Sequence, residues 1–280
     1  MSGPADAVSM ALANRLVGRE ASAPCLEITY GPASFRFGAP AQISVAGGAA
    51  SVRVGGIQRA AHVTLDVQAG DDVEIGAVTA GARVYLALSG SLQAETFLGS
   101  ASTYLPAGFG GFEGRALRKG DRLEIADAPS VPLAETPGSL RLPVGGSFAL
   151  RVVAGPDLPE PDGFPWTDNF SVTPRLSRMG AEIEGRFPVR SNNGLAPSSA
   201  VFPGALQVTP EGRGFLLLAD GQTTGGYPHL LQVIRADRHL LGQLRPGSRL
   251  RFLHRTQDRA EEDLRAKQAV LEAWMPDFRL

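Results

Sequence analysis

The sequence Phe215-Leu216-Leu217-Leu218-Ala219-Asp220-Gly221-Gln222-Thr223-Thr224-Gly225-Gly226-Tyr227-Pro228 joins a short apolar run to a loop of polar and small residues. Four consecutive large apolar residues bounded by turn-forming residues are typical of a buried strand. The next apolar run begins at Leu230, so the sequence predicts two strands separated by a long loop. Two adjacent glycines in that loop permit close approach of another backbone. We therefore expect a fold built from short strands, with this loop displayed between two of them.

The loop carries many hydrogen-bonding side chains. Gln222 offers an amide, Thr223 and Thr224 offer hydroxyls, Asp220 offers a carboxylate and Tyr227 offers a phenol. Loops on rigid scaffolds often carry function, which makes this loop a candidate site. The alternative is a wide turn whose side chains bond to its own backbone. On these residues alone, both interpretations stay open.

Composition favours a globular, β-rich chain. Of the 280 residues, 43% are apolar and 20% are charged, a balance typical of a chain that buries a core. The 34 glycines and 21 prolines separate many short apolar runs, as in strands joined by tight turns. The formal net charge is −1, so neither nucleic acid nor a membrane surface is expected as a partner.

Residue usage excludes several kinds of site. Lys119 and Lys267 are the only lysines, and neither follows the glycine that a P-loop requires. Neither lysine follows a methionine, so the sequence also lacks a Met-Lys biotin-attachment site. Cys25 is alone, and the four histidines show no metal-ligand spacing, so no metal is expected. Without a signal peptide or an apolar stretch of ~20 residues, we expect a cytoplasmic protein.

Helices are predicted near the two ends of the chain. Residues 4–17 and 256–274 carry apolar side chains at helical spacing. Ser2 or Asp6 is a candidate N-cap for the first helix, and Gly18 is suited to end it. A short helical turn is also predicted at 238–243.

The chain is predicted to contain two β-subdomains, 1–128 and 146–280, the second including the C-terminal helix. A connector rich in proline and small residues joins them at 129–145. Residues 117–125 and 244–252 share a pattern: Leu-Arg, one residue, Gly, a small polar residue and an alternating run. The repeat indicates that the subdomains are related, unless it reflects a common turn that occurs twice.

Several separated segments together carry a family resemblance, of which Gln-Thr-Thr-Gly-Gly-Tyr-Pro at 222–228 is the most specific. The segments are 11–18, 26–29, 99–104, 110–121, 177–180, 203–208 and 218–228. In this order and spacing the chain resembles, over nearly its whole length, the biotin-dependent carboxyltransferase family. That family includes the C subunit of 5-oxoprolinase, the KipI antagonist KipA, allophanate hydrolase subunit 2 and the carboxyltransferase segment of urea carboxylase.

The resemblance implies a mainly β fold with a cyclophilin-like barrel, a second related β-subdomain and few helices. It implies the ATP-dependent opening of 5-oxoproline to glutamate, with this chain as the C subunit of a complex. The other members of that complex would be an A subunit, and a KipI-like B subunit. ATP would then be a cofactor of the complex. Two alternatives stay open: a biotin-dependent carboxyltransferase of the urea carboxylase type, with biotin carried by another protein, and a non-catalytic, KipA-like partner-binding protein.

Two sets of residues are candidates for the site. The candidate catalytic residues are Arg178, Gln222, Thr223, Thr224 and Tyr227. The candidate substrate- or anion-binding residues are Asp220, Gly225, Gly226, Pro228, Ser100, Thr103 and Tyr104. An arginine can bind a carboxylate or phosphate with two parallel hydrogen bonds, and loop hydroxyls and amides can hold an anion without a lysine.

Structural roles are the alternatives for several of these residues. Arg178 could form an ion pair with Glu182 or Glu184, and the side chains of residues 100, 103 and 104 could cap turns. Glu113 and Arg115 are predicted to form a local pair.

The sequence departs from the family pattern in three places. It begins after the segment that usually forms the first strand, and a sheet lacking that strand would have an unpaired edge. Gly221 stands where arginine is typical. Ser177 stands where an asparagine or aspartate usually precedes Arg-Met-Gly.

Overall fold

The computed structural model describes residues 2–142, 145–158, 163–188 and 197–280. The chain forms two compact units. Unit 1 consists of Met1–Val144 and Leu271–Arg279, and unit 2 consists of Gly145–Val270 and Leu280.

Unit 1 is built on two four-stranded sheets. Its strands are β1 (Leu26–Thr29), β2 (Ala33–Arg36), β3 (Ala41–Ala49), β4 (Val52–Val54), β5 (Ile57–Arg59), β6 (Leu65–Val67), β7 (Asp72–Ile75), β8 (Ala80–Leu88), β9 (Ser91–Leu92) and β10 (Ile125–Ala126). One sheet has the order β1-β8-β3-β6 and the other the order β2-β7-β4-β5, while β9 and β10 form a separate pair. Valine, leucine and isoleucine side chains from both four-stranded sheets share one core.

The N-terminal helix α1 (Ala7–Leu16) explains why β3 and β8 are buried on both faces. It packs on these two strands, and the Ser44 hydroxyl of β3 donates to the Ala13 carbonyl over 2.6 Å. Asp6 is the N-cap, since its side chain accepts from the Ser9 N–H over 2.9 Å. Gly18 was predicted to end the helix. It has φ +69°, the left-handed conformation that glycine commonly adopts just after a helix.

Unit 2 contains a closed barrel. Its strands are β11 (Ser147–Ala154), β12 (Phe170–Leu176), β13 (Gly180–Glu184), β14 (Ser199–Ala200), β15 (Ala205–Val208), β16 (Gly214–Leu217), β17 (Thr224–Gly225), β18 (His229–Val233) and β19 (Arg249–His254). The barrel order is β11-β18-β15-β16-β13-β12-β19, and β19 pairs with β11 in parallel to close it. Closure removes the unpaired edges that an open sheet of these strands would have. The short strands β14 and β17 pair with each other outside the barrel.

Alternation along the barrel strands fills its interior. In β11, Phe148, Leu150 and Val152 are buried while the residues between them are more exposed. Successive side chains of a strand point to opposite faces, so these three point inward. They join one apolar cluster with residues from the other barrel strands.

The second half of the chain also contains helices, one before β19 and one after it. A 3-10 helix, Arg235–Gln243, extends the helical turn predicted at 238–243, and α2 (Gln257–Glu272) is the predicted C-terminal helix. The Arg259 N–H donates to the Thr256 hydroxyl over 3.4 Å at the start of α2.

The two copies of the repeated pattern differ in the structure. The pattern ending near residue 252 forms β19, whereas the alternating run expected at 122–125 is reduced to the two-residue strand β10. The predicted fold class, mainly β with a barrel and few helices, is confirmed. In the described part of the chain, no helix combines the length and apolar character needed to cross a membrane.

Candidate functional site

The loop at 219–228 lies on unit 2 between β16 and β18. Its middle forms β17, in which Thr224 lies opposite Ala200 of β14. The Val201 N–H also donates to the Thr223 carbonyl over 3.0 Å. Backbone hydrogen bonds therefore hold the middle of the loop against the segment that precedes β15.

An ion pair closes the base of the loop. Arg178 Nε donates to Asp220 Oδ2 over 2.7 Å, and Nη2 donates to Oδ1 over 3.1 Å. The Asp220 side chain is 1% exposed and the Arg178 side chain 20%. The Asp220 N–H also donates to the Arg178 carbonyl over 2.9 Å. Two parallel bonds between guanidinium and carboxylate fix orientation as well as distance, so the pair ties the loop to the residues before β13.

Arg178 does form an ion pair, which was the structural role considered for it. Its partner is Asp220, whereas Glu182 or Glu184 was expected. Glu182 lies near Arg175 and Arg213 instead, at 3.7 and 3.8 Å. Glu184 accepts a hydrogen bond from Ser171 over 3.3 Å.

Gln207 of β15 joins the two ends of the loop. It is 1% exposed, its Nε2 donates to the Tyr227 carbonyl over 3.0 Å, and its Oε1 accepts from Gln222 Nε2 over 3.2 Å. Leu206 and Val208 belong to the barrel core, so the alternation of the strand directs Gln207 to the outer face. A buried amide that uses both its donor and its acceptor positions the groups it binds.

Two glycines of the loop lie in close contact with their neighbours. A Cβ on Gly225 would lie 2.4 Å from Gln207 Nε2. At Gly221 a Cβ would lie 2.9 Å from the Met179 carbonyl oxygen and 3.1 Å from the Leu218 carbonyl oxygen. At position 221, where the family pattern typically has arginine, the backbone of this chain packs more closely than a side chain allows.

The polar side chains at the tip of the loop face solvent. Gln222, Thr223 and Thr224 are all exposed, and Tyr227 is 41% exposed. Gly226 and Pro228 flank Tyr227 in the chain. The tip therefore presents an amide, two aliphatic hydroxyls and a phenol above a buried base.

A buried histidine begins β18, directly after the loop. His229 is 5% exposed, and its backbone N–H donates to Asp157 Oδ2 over 2.9 Å. It lies opposite Gln207 in the ladder between β15 and β18. Burial lowers the pKa of the His229 imidazole below its usual value, so the ring is neutral at pH 7. In the described part of the chain, its Nε2 has no hydrogen-bond partner.

The hydroxyls predicted as site residues in the first half lie in unit 1. Ser100 Oγ donates to the Ser2 carbonyl over 3.2 Å and accepts from the Ser102 N–H over 3.2 Å. Thr103 Oγ1 accepts from the Phe112 N–H over 3.4 Å. Both hydroxyls thus bond to backbone groups, as turn-capping side chains do.

Tyr104 belongs to an aromatic group in the same segment. Its N–H donates to the Phe109 carbonyl over 2.9 Å, and the two ring centroids lie 5.5 Å apart. Phe97 lies 4.4 Å from Phe109 by the same measure. Leu98 and Leu105 beside them are 76% and 49% exposed.

The predicted local pair of Glu113 and Arg115 is confirmed. Arg115 Nη2 lies 2.6 Å from Glu113 Oε2. Arg115 also donates two bonds to the Asp121 carboxylate, over 2.7 and 2.9 Å. These bonds lower the pKa of Asp121 to about 2.

Within unit 2 the structure brings together Arg178 and the residues from 220 to 228, and within unit 1 it brings together Ser100, Thr103 and Tyr104. Among the described residues, no three His, Cys, Asp or Glu side chains come together to hold a metal ion.

Sequence reasoning missed Gln207 and His229 as parts of this site. The available signal was a polar residue inside an apolar run: Gln207 interrupts Ala-Leu-Gln-Val, and His229 precedes Leu-Leu. A buried polar side chain is seldom left without a reason. For Gln207 the reason is the loop, since it binds the Tyr227 carbonyl and the Gln222 amide.

The chain is similar to known proteins along most of its length. The family model for the carboxyltransferase domain, subdomains A and B, matches residues 1–254. The C subunit of Escherichia coli 5-oxoprolinase is 32% identical over 271 residues, which cover 95% of this chain and 85% of that protein.

The urea amidolyases are similar over a small part of their own length. The Saccharomyces cerevisiae protein is 30% identical over 274 residues, covering 90% of this chain and 15% of that protein. The crystal structure of Kluyveromyces lactis urea amidolyase superposes with a TM-score of 0.89 at 28% identity, covering 98% of this chain and 18% of that one. Since the family model spans most of its residues, this chain belongs to the carboxyltransferase-domain family.

Proposed function

We propose that this chain is the C subunit of an ATP-dependent 5-oxoprolinase-type amidohydrolase, which opens 5-oxoproline to glutamate in the cytoplasm. Its partners in this proposal are an A subunit, and a KipI-like B subunit. One observation carries the proposal: the match with the C subunit of 5-oxoprolinase extends over 85% of that protein. The match with urea amidolyase extends over only 15% of that one.

The reaction defines what a site must supply. Opening the lactam breaks its carbonyl carbon–nitrogen bond and adds water, but an amide carbon is a poor electrophile. Donors placed at the developing oxyanion lower that barrier. Thr223, Thr224 and Tyr227 carry hydroxyl donors and Gln222 an amide donor, all at the tip of the loop. In this proposal they bind and orient the substrate.

Arg178 and Asp220 have a positioning role in the proposal. Asp220 already takes two hydrogen bonds from Arg178, so the pair holds the base of the loop in place. Gly225 and Gly226 bring the backbone close to the substrate, and Pro228 ends the loop before His229.

The loop at 219–228 offers no lysine for the phosphates of a nucleoside triphosphate. Lys267 Nζ lies 2.9 Å from His239 Nε2, and Lys119 is exposed on a turn, so neither lysine belongs to the loop. The proposal therefore assigns ATP to the partner subunits. When bound, ATP would supply the phosphoryl group that activates the lactam.

The test is a reconstituted assay. This chain is co-expressed with homologues of the A and B subunits, and release of ADP and glutamate is measured with and without 5-oxoproline. The double variant Thr223→Ala/Thr224→Ala should lower kcat/KM by roughly 10²-fold if the two hydroxyls stabilise the transition state. Thr167→Ala removes an exposed threonine of the same unit and should leave the rate unchanged. A wild-type complex that consumes no 5-oxoproline would refute the proposal.

A second candidate is a carboxyltransferase acting on carboxybiotin carried by another protein. The TM-score of 0.89 with Kluyveromyces lactis urea amidolyase favours it. It predicts transfer of labelled carboxyl from a carboxylated carrier protein to urea, with no dependence on 5-oxoproline. If the chain binds the B subunit stably and both assays are silent, a non-catalytic, KipA-like role accounts for the complex.

A further inference from the structure

Two arginines lie on one face of the 3-10 helix Arg235–Gln243. Arg235 and Arg238 are three residues apart, and residues at this spacing in a 3-10 helix lie one above the other. Arg235 is exposed and Arg238 is half-buried. The helix therefore presents two cations side by side on the surface of unit 2.

Arg238 lacks a compensating group in the described part of the chain. Its Nε is buried without a hydrogen-bond acceptor. Burial and the nearby charge of Arg235 both lower the pKa of Arg238, which means that both oppose its charged form. A half-buried cation beside a like charge is unfavourable unless an anion compensates it.

The acid between the two arginines in the chain and one acid of α2 are already engaged. Asp237 lies between the two arginines in the chain, but its carboxylate accepts from Arg151 Nε over 2.9 Å and from Nη2 over 2.6 Å. Asp263 lies 2.7 Å from Arg151 and 3.1 Å from Arg255. Their hydrogen bonds are directed at other arginines, so neither carboxylate serves as a counter-ion for Arg238.

We propose that Arg235 and Arg238 bind a small oxyanion, the phosphate or carboxylate group of a free molecule. The planar guanidinium matches both groups, because its parallel N–H donors fit two oxygens at once. The site lies beyond the end of β18, whereas the loop at 219–228 lies before its start. It is a separate site, and it does not depend on the proposed 5-oxoprolinase function.

Direct binding tests the site on the purified chain. Equilibrium dialysis with radiolabelled inorganic phosphate compares the wild type with Arg235→Ala/Arg238→Ala. The matched control is Arg251→Ala, which removes an exposed arginine of the same unit from β19. The double variant should bind phosphate at least tenfold more weakly, and the control should match the wild type. Equal affinity in all three proteins, or no binding by the wild type, overturns the proposal.

Thermal unfolding separates a binding role from a structural one. In chloride alone, Arg238→Leu should keep or raise Tm, because it removes an uncompensated charge. Phosphate at matched ionic strength should raise the Tm of the wild type by about 2–4 °C, and that of Arg238→Leu not at all. The same measurement with increasing acetate identifies the preferred group. A larger rise in the Tm of the wild type than with phosphate assigns the site to carboxylates, and a smaller rise assigns it to phosphates. Equal shifts in wild type and variant, or a loss of Tm in chloride alone, would contradict the site.

Discussion

The loop at 219–228 of unit 2 and the segment at 97–115 of unit 1 have similar compositions, rich in glycine and hydroxyl groups, yet different interactions hold them. The loop depends on buried side chains: the Asp220 carboxylate on Arg178 and the Gln207 amide between the two ends. The segment depends on its backbone. Removing a buried side chain should therefore destabilise the loop at 219–228, and adding a Cβ to a glycine should destabilise the segment at 97–115.

The unit 1 segment shows this backbone dependence at several positions. Gly110, Gly111 and Gly114 have positive φ, as do the non-glycine residues Leu98 and Glu113. A Cβ on Gly114 would lie 2.0 Å from the Gly108 carbonyl oxygen. Strained conformations of this kind persist only where the surrounding contacts determine them.

Asp220→Ala should have the largest effect. It leaves the Arg178 charge partly buried without its carboxylate, which costs about 3–5 kcal/mol in the free energy of unfolding. The matched control is Asp168→Ala, since Asp168 pairs with Arg186, whose side chain is 78% exposed. That change should cost at most about 1 kcal/mol. Urea denaturation measures both, and similar losses would show that the ion pair does not anchor the loop.

Gly114→Ala should come next and tests the unit 1 segment. The positive φ costs about 1–2 kcal/mol and the overlap with Gly108 about 1–3 kcal/mol more. In Gly120→Ala only the first cost applies, because Gly120 has φ +97° and nothing lies within 4 Å of its added Cβ. If the two variants unfold at the same urea concentration, the segment is not held by backbone contacts.

Gln207→Leu should cost about 1–3 kcal/mol, because it removes the bonds to Tyr227 and Gln222 and leaves the Tyr227 carbonyl without this donor. Hydrogen exchange should show the loss of protection within 219–228 and not within 97–115. Gln58→Leu, at an exposed position of β5, is the control and should change neither region. Exchange that accelerates equally in both regions would mean that Gln207 supports the fold and not the loop.

Acidification should have the smallest effect on stability. It should weaken the strand that follows the loop and leave the segment at 97–115 unchanged. The folded chain lowers the pKa of His229, so it stabilises the neutral ring. That stability is complete above the ordinary histidine pKa of about 6.5 and is lost as the pH falls below it. Between pH 7 and pH 5, protection at 229–233 should fall roughly two- to tenfold after correction for intrinsic exchange.

The segment at 97–115 provides the contrast in the same experiment. Arg115 keeps the pKa of Asp121 at about 2, so this pair stays charged throughout the range. The variant His229→Gln should remove the pH dependence in β18. Persistence of that dependence in the variant would assign it to another group.

Much of the fold could be predicted from local patterns. Helical spacing located α1 and α2, and Asp6 and Gly18 mark the ends of α1 because capping is a local interaction. Alternating apolar runs located most of the strands, but the run at 122–125 shows the limit. It has the same pattern as β19, yet only β10 forms there, because a strand also needs a neighbour to pair with.

The candidate site could be predicted only in part. The loop was evident from its composition, since glycine, threonine and glutamine between two apolar runs are a local signal. The partner of Arg178 was not, because Asp220 lies 42 residues away in the chain and Glu182 is only four residues away. Gln207 and Gly225 meet across strands, a contact that no local pattern contains.

The sequence by itself determined the secondary structure periodicity, the ends of the first helix and the position of the exposed loop, because these depend on neighbours within a few residues. Its resemblance to the carboxyltransferase family also came from residues read in order along the chain. Only the tertiary structure decided which buried groups hold the loop: the Asp220 carboxylate, the Gln207 amide and the close packing at Gly221. The physical reason is that burial and hydrogen-bond partners depend on closure of the barrel, which brings together strands that are distant in sequence.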